Sequence, residues 1–257
     1  MSKPLALLVN DDGVHAPGIK ALHKSLSQVA EVYMCAPHVE RSAVSQAITI
    51  HNPLRVEKLS EKVFAVEGTP ADCVKLAMGE LLPYKPDFIV SGINRGPNLG
   101  MDTLYSGTVS AALEGALFDV PGLAVSSYGP ATRSMYYETA AKVAVNVFQT
   151  VMPNVGAQRV LNLNVPSCPV KEIKGVKFTA LGRRLKDDKI IKSVDPRGRP
   201  YYWLGGGFGP IEERENSDML ELQRGFATLS VLRPCLFDED GTSQLASKVP
   251  DLEKLLT

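Results

Sequence analysis

The chain has 257 residues, of which 44% are hydrophobic and 22% are charged, a composition typical of globular proteins. This length suffices for one large α/β domain with an appendage, or for two modest domains. Lys and Arg together number 28, as do Asp and Glu, so the formal net charge is zero. A neutral chain has no overall field that steers it to a nucleic-acid duplex or an anionic membrane. A phosphate ligand would therefore need a local binding device.

The cysteines and the first apolar run together indicate a cytoplasmic protein without a membrane partner. The four cysteines are widely separated and form no CxxC pair, which is typical of small buried hydrophobes rather than of a disulfide or zinc framework. The run Leu5–Val9 is too short for a signal-peptide core. No apolar run approaches the length of a membrane span.

Strands and helices are predicted to alternate through the first two thirds of the chain. The predicted elements, in chain order, are strand 5–9, helix 18–29, strand 31–36, two β segments within 48–66, a helix beginning at Thr69-Pro70, strand 87–91, a Gly-rich loop 92–107, helix 108–118, strand 122–127, a helix at about 132–151 and strand 160–165. Such alternation predicts right-handed crossovers between parallel strands.

After residue 166 the pattern changes to short β segments. Strands are predicted at 176–181, 201–204 and 227–232, with a charged stretch at 183–200 and a helix start at Ser217-Asp218. We therefore predict an α/β fold with a Rossmann-like, doubly wound, mostly parallel sheet in residues 1–166. Residues 167–257 would form a β-rich extension that packs with it as one compact unit. Because short strands leave open edges, the extension is expected to mediate oligomerisation.

The first strand ends in Asn10-Asp11-Asp12-Gly13, which places two adjacent carboxylates at its carboxyl end. Neighbouring residues on a strand point to opposite faces, so the carboxylates converge only if the chain turns, as Gly13 permits. Converging carboxylates repel unless a cation lies between them, and hard divalent ions favour such oxygen sites. Acidic residues are also common at helix starts, so the tetrapeptide alone leaves both interpretations open.

Two later strand ends also carry oxygen ligands. Ser42 follows the second predicted strand, and Asn94 follows strand 87–91 in a Gly-rich loop. Taken singly, a loop hydroxyl or an Asn among glycines is usually turn chemistry. The Gly-rich loop leads into a helix that begins Ser106-Gly107-Thr108, whose N–H groups and hydroxyls are suited to phosphate. In a Rossmann topology these ends line one crevice, and that shared position favours a ligand site.

The sequence resembles the SurE survival-protein family in an ordered series of motifs. These are NDDG followed by VHAPGI, RS at 41–42, GTPADC at 68–73, SGINRGPNLG at 91–100, YSGT at 105–108, VLNLNVP at 160–166 and SDMLELQRGFATLSVL at 217–232. The resemblance covers nearly the whole chain. It implies a Rossmann-like domain whose C-terminal extension engages a partner subunit. It also implies metal-dependent hydrolysis of nucleoside 5′- and 3′-monophosphates, with short polyphosphate as a further substrate of some members.

The resemblance also implies roles for individual residues. Asp11 and Asp12 would be catalytic and, with Ser42 and Asn94, would ligate one Mg²⁺ or Mn²⁺ per subunit. The substrate phosphate would be bound by Asn98, Ser106, Gly107 and Thr108. The implied partners are a nucleoside monophosphate and further copies of the chain, in a homodimer or homotetramer. The segment Ala43-Val44 departs from the Gly-Ala of many members, which is expected to alter the flexibility of the loop around Ser42.

Other functions fit part of this pattern. A signalling receiver module also has a metal-bound acidic pair after its first strand, but it needs a phosphoacceptor Asp where this chain has Ser91-Gly92-Ile93-Asn94. A nucleotide-binding or assembly protein without hydrolytic activity stays open. An aspartyl-phosphatase of the DxD type is disfavoured because the carboxylates here are adjacent. For a hydrolase we expect in-line attack by water, with Asp11 as a nucleophile the rival mechanism.

Overall fold

The computed structural model describes residues 3–129, 135–183, 190–204 and 214–248. The strands are β1 (Leu5–Val9), β2 (Glu31–Pro37), β3 (Val56–Ser60), β4 (Val63–Val66), β5 (Phe88–Arg95), β6 (Gly122–Tyr128), β7 (Val160–Pro166), β8 (Val176–Phe178), β9 (Ile190–Val194), β10 (Pro200–Leu204) and β11 (Ala227–Leu232). The α-helices are α1 (Pro17–Leu26), α2 (Pro70–Leu76), α3 (Gly107–Leu117), α4 (Tyr137–Thr150), α5 (Asp218–Gln223) and α6 (Glu239–Lys248). The predicted start of the fourth long helix, at Thr132, and part of the charged stretch 183–200 lie outside the described residues.

Within the described residues, nine strands form one sheet in the order β3-β4-β2-β1-β5-β6-β7-β11-β8. The strands from β4 to β7 in this order are parallel, whereas β3 and β11 run antiparallel to β4 and β7. From β1 the chain passes to β2 on one side, and β5 lies on the other side of β1. The space between β1 and β5 is therefore the topological switch point, where sheets of this kind bind ligands at their carboxyl ends.

Helices cover both faces of the sheet, which explains why its central strands are continuous apolar runs. All five residues of β1 are buried, as expected of a parallel strand with both faces covered. Helices α1 and α4 pack on one face, through residues such as Ile19 and Ala140, and α2 and α3 pack on the other. At Gly115 of α3 a Cβ would lie only 2.2 Å from Cγ1 of Ile89, so glycine permits this close helix–sheet contact.

The predicted α/β class with a mostly parallel sheet and a β-rich C-terminal region is confirmed, with changes in detail. Strands β11 and β8 join the main sheet, while β9 and β10 form a separate antiparallel hairpin. The predicted strand 176–181 is shorter, because the ladder ends at Phe178 and Ala180 forms only an isolated bridge with Ser217. Strand β9 and helix α6 were not predicted. Over the described residues, no helix has the length and apolarity that a bilayer crossing requires.

Candidate active site

Asp11, at the end of β1, is held by the start of α3. Its Oδ1 accepts a hydrogen bond from the Thr108 hydroxyl at 2.5 Å, and its Oδ2 accepts one from the Thr108 backbone N–H at 3.2 Å. Gly107 lies so close that a Cβ there would be 2.9 Å from the Cβ of Asp11. Burial raises the pKa of Asp11, although the Thr108 hydrogen bonds act to lower it. The structure thus brings two predicted phosphate-binding residues into contact with a predicted metal ligand.

Asp12 lies beside the end of β5. Its Oδ2 accepts a hydrogen bond from the Arg95 backbone N–H at 3.1 Å. Burial, together with the charge of Asp11, raises the pKa of Asp12 to about 6. The adjacent Asn94 donates Nδ2 to the Gly96 carbonyl at 3.0 Å, which leaves its Oδ1 as the side-chain atom suited to a cation. The structure therefore places Asp11, Asp12 and Asn94 at the carboxyl ends of adjacent strands.

Ser42 lies on the exposed loop after β2. The Arg41 N–H donates to the Asp11 carbonyl at 2.7 Å, which tethers this loop to the acidic pair. The Ser42 hydroxyl donates to Oε1 of Glu40 at 2.6 Å. Ser42 is thus next to a residue that contacts Asp11, but its own hydroxyl is paired with a carboxylate of the same loop.

The same loop is anchored to the body of the protein beyond Ser42. The Ser45 N–H donates to the Tyr105 carbonyl at 3.1 Å, just before the start of α3. The Gln46 amide donates to Glu114 at 2.8 Å, and this buried carboxylate also pairs with Lys75 at 2.7 Å. These contacts connect the Ser42 loop to both α2 and α3.

Asn98 is fixed in a group of buried amides at the carboxyl ends of β6 and β7. Its N–H donates to Asn164 Oδ1 at 2.8 Å, and its carbonyl accepts from the amides of Asn162 at 2.8 Å and Asn164 at 3.0 Å. Its side-chain Nδ2 donates to the Ser126 hydroxyl at 2.8 Å. Because a side-chain amide has two N–H hydrogens, one remains for a ligand.

Ser106 is the N-cap of α3, and its Oγ accepts from the Val109 N–H at 3.0 Å. A hydroxyl that accepts this bond can still donate its own hydrogen. Within the described part of the chain, the Gly107 N–H has no acceptor. The helix start thus retains two donors that Asp11 does not use, and the helix dipole favours an anion there.

The donor set suits a hard divalent cation. Two carboxylates are combined with neutral side-chain oxygens of Ser and Asn, which are ligands that Mg²⁺ and Mn²⁺ accept. Burial raises the pKa of both Asp11 and Asp12, the charge of Asp11 further raises that of Asp12, and a cation would offset both effects. The buried Oδ1 of Asn10 also has no hydrogen-bond partner among the described residues. In the described ranges no three His, Cys, Asp or Glu side chains are grouped as a metal site, so this mixed oxygen set differs from zinc clusters.

Three residues that sequence reasoning did not single out lie around the acidic pair. Burial is the main cause of the raised pKa values of Asp11 and Asp12, and the charge of Glu40 adds to both. The Arg95 guanidinium acts in the opposite direction on Asp12. Burial and the charge of Asp12 raise the pKa of Tyr137, the first residue of α4. Arg95 follows Asn94 directly and Glu40 is two residues before Ser42, whereas only the fold brings Tyr137 here.

Comparison with known proteins agrees with this geometry. A family model described as "Survival protein SurE" matches residues 6–188. A relative from Citrifermentans bemidjiense, named 5′-nucleotidase SurE, is 44% identical over 94% of this chain and 97% of its own. A relative of the same name from Coxiella burnetii is 42% identical over 96% of this chain and 95% of its own. The crystal structure of the SurE protein from Aquifex aeolicus is 36% identical, with a TM-score of 0.85 over 95% of this chain and 99% of that one. The chain therefore belongs to the SurE family.

Proposed function

We propose that the protein is a metal-dependent phosphomonoesterase that hydrolyses nucleoside 5′- and 3′-monophosphates to nucleoside and phosphate, with short polyphosphate as a further substrate. The observation that carries this proposal is that Asp11 contacts the start of α3 and Asp12 contacts the end of β5, at the switch point of the sheet. The name 5′-nucleotidase SurE, which relatives from two organisms carry, supports the same reaction class.

The proposed metal ligands are Asp11, Asp12, Ser42 and Asn94, with one Mg²⁺ or Mn²⁺ per subunit. Such a cation, when bound, lowers the pKa of a water ligand and neutralises phosphate oxygens. Hydrogen bonds within the chain support this proposal, because the Thr108 hydroxyl orients the Asp11 carboxylate and the Arg95 N–H orients that of Asp12. Ser42 would exchange its hydrogen bond to Glu40 for the cation.

The phosphate oxygens are proposed to lie at the start of α3. The Ser106 hydroxyl, the Gly107 N–H and the second amide hydrogen of Asn98 would donate to them, and would stabilise the charge that develops on them. Both hydrogen-bond donors of Thr108 are directed at Asp11. Thr108 would therefore act mainly by positioning Asp11, rather than by binding phosphate directly.

We propose direct in-line attack by water, without a phosphoenzyme. A carboxylate that binds a cation is a weak base, so Asp11 and Asp12 act mainly as ligands. Because both Asp11 oxygens already accept hydrogen bonds from Thr108, this carboxylate is less suited to be a nucleophile. Acid quench under single-turnover conditions checks this point. Capture of a phosphorylated Asp11 peptide would replace the mechanism while leaving the phosphatase proposal intact.

The protein is further proposed to act in the cytoplasm as a homodimer or homotetramer. The cysteines at 35, 73, 168 and 235 are all free, which fits a reducing compartment. The hairpin β9–β10 exposes large apolar side chains, including Trp203 at 63% and Leu204 at 88%. Such surfaces are typical of interfaces between subunits.

The test of this function is phosphate release from a panel of nucleoside 5′- and 3′-monophosphates after treatment with a chelator. Restoring Mg²⁺ or Mn²⁺ should restore release. If the nucleotides bind but no phosphate is released with any divalent metal, the chain is a nucleotide-binding protein without hydrolytic activity, and the proposal is wrong.

A further inference from the structure

A cavity of about 890 Å³ opens at the carboxyl ends of β5, β6 and β7. Its lining includes Arg95, Pro97, Tyr128, Ser167 and Cys168. This volume is within the range of cavities that bind small ligands, about 300–1,000 Å³. None of the residues assigned above to the metal or to phosphate lines this cavity.

Arg95 connects the cavity with the acidic pair. This last residue of β5 lines the cavity, and its backbone N–H donates to Oδ2 of Asp12 at 3.1 Å. Pro97, which also lines the cavity, precedes the proposed phosphate ligand Asn98. A phosphate ester bound at Asp12 and Asn98 would therefore have its leaving group next to the mouth of this cavity.

The cavity walls combine apolar surface with a few polar groups, as small-molecule sites do. Tyr128 is 41% exposed and presents an aromatic ring, which can stack on a nucleobase of any kind. The Ser167 hydroxyl accepts from the Tyr136 N–H at 2.9 Å and keeps its own hydrogen to donate. The Arg95 guanidinium adds fixed donors and a positive charge at the end nearest the acidic pair.

We propose that this cavity binds the nucleoside part of the substrate, with the base against Tyr128 and the ribose beside Arg95. This inference rests on the proposed nucleotidase function and adds the place where the nucleoside lies. The alternative is the exposed surface of Leu104 and Tyr105, which immediately precede the N-cap of α3 in the chain. Tyr105 is 67% exposed and so offers a base less enclosure than Tyr128.

The first test uses the cysteines as reporters in the unmodified protein. Cys168 lines the cavity and is partly buried, Cys235 is exposed elsewhere, and Cys35 and Cys73 are buried. Burial raises the pKa of the Cys168 thiol, so alkylation by iodoacetamide is run in mildly alkaline buffer. Saturating adenosine, which carries no phosphate, should slow alkylation of Cys168 at least about threefold while Cys235 is unaffected. Equal rates for Cys168 with and without adenosine would overturn the proposal.

The second test compares a nucleotide with a substrate that lacks the base. For Tyr128→Ala the ratio of KM for AMP to KM for ribose 5-phosphate should rise about tenfold, because a stacked base is lost. The matched control Tyr105→Ala should leave this ratio unchanged. A change of the ratio in Tyr105→Ala and not in Tyr128→Ala would place the base at Tyr105 and contradict the inference.

The two tests also separate this inference from the function on which it rests. Absence of phosphate release from every nucleotide would refute the nucleotidase proposal. Normal release without protection of Cys168, and without a change of the KM ratio in Tyr128→Ala, would refute only the nucleoside site.

Discussion

The two carboxylates of the site are neighbours in the chain, but distant parts of the fold hold them. Asp11 is fixed by Thr108 at the start of α3, and Asp12 by the Arg95 N–H at the end of β5. This arrangement requires that nothing larger than hydrogen stands at residue 107, because the backbone there passes directly over the Asp11 side chain. The position of Asp11 is thus set by a glycine and a threonine of another element.

We predict that Gly107→Ala lowers kcat/KM by about a hundredfold or more, since a new Cβ would lie 2.9 Å from Asp11 Cβ and displace the carboxylate. Phosphate release measures the effect, and thermal unfolding shows whether the fold persists. Gly79→Ala is the control, because a Cβ at Gly79 has no atom within 4 Å. Equal activity of the two variants would show that Asp11 need not be held where the structure has it.

The loop around Ser42 has a strained residue directly after the proposed ligand. Ala43 has a φ of 55°, a left-handed conformation that costs a residue with a Cβ about 1–2 kcal/mol. Ala43→Gly should therefore raise the free energy of unfolding by about 0.5–1 kcal/mol, after the entropy of the unfolded chain is counted. Denaturant titration measures this difference. Ala47→Gly, in the same loop and without a positive φ, should be neutral or destabilising, and a gain in both variants would contradict the explanation.

At the scale of single residues, the meeting of these side chains at neighbouring strand ends could be predicted where the pattern is local in the sequence, whereas their role as ligands stays a prediction. Asp11 and Asp12 next to Gly13, and Asn94 among glycines, carry such a pattern, and the structure brings them to adjacent strand ends. Tyr137 could not be predicted, because it begins a helix far along the chain and meets Asp12 only through packing of α4. The orientation of Thr108 toward Asp11 likewise depends on how closely α3 packs against β1.

At the scale of elements, one buried carboxylate connects the loop before α3 to the C-terminal region. Asp218 is fully buried and accepts hydrogen bonds from the N–H groups of Gly100 at 2.8 Å, Gly182 at 2.7 Å and Met219 at 2.8 Å. Burial raises the pKa of Asp218, although these three bonds act to lower it. The Asp218 side chain thus joins the Gly-rich loop, the segment after β8 and helix α5.

Asp218→Asn should lower the free energy of unfolding by about 3 kcal/mol, because an amide nitrogen would face a buried backbone N–H that then lacks an acceptor. Chemical denaturation measures the change. Asp238→Asn is the matched control, since Asp238 is exposed and its side chain accepts one hydrogen bond, from the Gly241 N–H at 2.9 Å. Similar small losses in both variants would mean that the buried contacts contribute little to stability.

The elements that the sequence predicted correctly have strong periodic or capping patterns. The apolar run of β1 and the Thr69 cap of α2 are examples, and the structure shows a complete capping box at Thr69 and Asp72. Helix α6 has no buried residue, and Leu245 and Ala246 alone are too few apolar side chains to give a helical spacing. Strand β9 is exposed along its whole length except at Ser193. It lies in a stretch with Lys and Asp, so its sequence lacks the alternation of apolar and polar residues that predicts a strand.

At the scale of the whole molecule, the described strands β9 and β10 pair only with each other, in a two-stranded sheet separate from the main sheet. A two-stranded ribbon is marginal by itself, and the side chains of Ile190, Trp203 and Leu204 are 63%, 63% and 88% exposed. These surfaces would be costly in water if they were not covered. The division of the chain at residue 166 into a catalytic region and an oligomerisation region is a prediction that the same surface supports.

We predict at least a dimer at micromolar concentration, measured by light scattering. The double variant Trp203→Lys with Leu204→Lys should be monomeric, because two charges would be buried without partners. Leu117→Lys is the control, since Leu117 is 56% exposed on α3, away from the hairpin. A monomeric wild-type protein, or a double variant that remains a dimer, would contradict the role of the hairpin.

The central claim is that the acidic pair after β1 binds the cation on which phosphate release depends. The most direct measurement follows Mn²⁺ binding by electron paramagnetic resonance and phosphate release from AMP in the same titration, for the wild type and for Asp12→Asn. We predict one Mn²⁺ per subunit with activity that follows occupancy in the wild type. We predict loss of both in Asp12→Asn, with unchanged or higher thermal stability because one of two repelling charges is removed. Retention of both Mn²⁺ binding and phosphate release by Asp12→Asn would contradict the account.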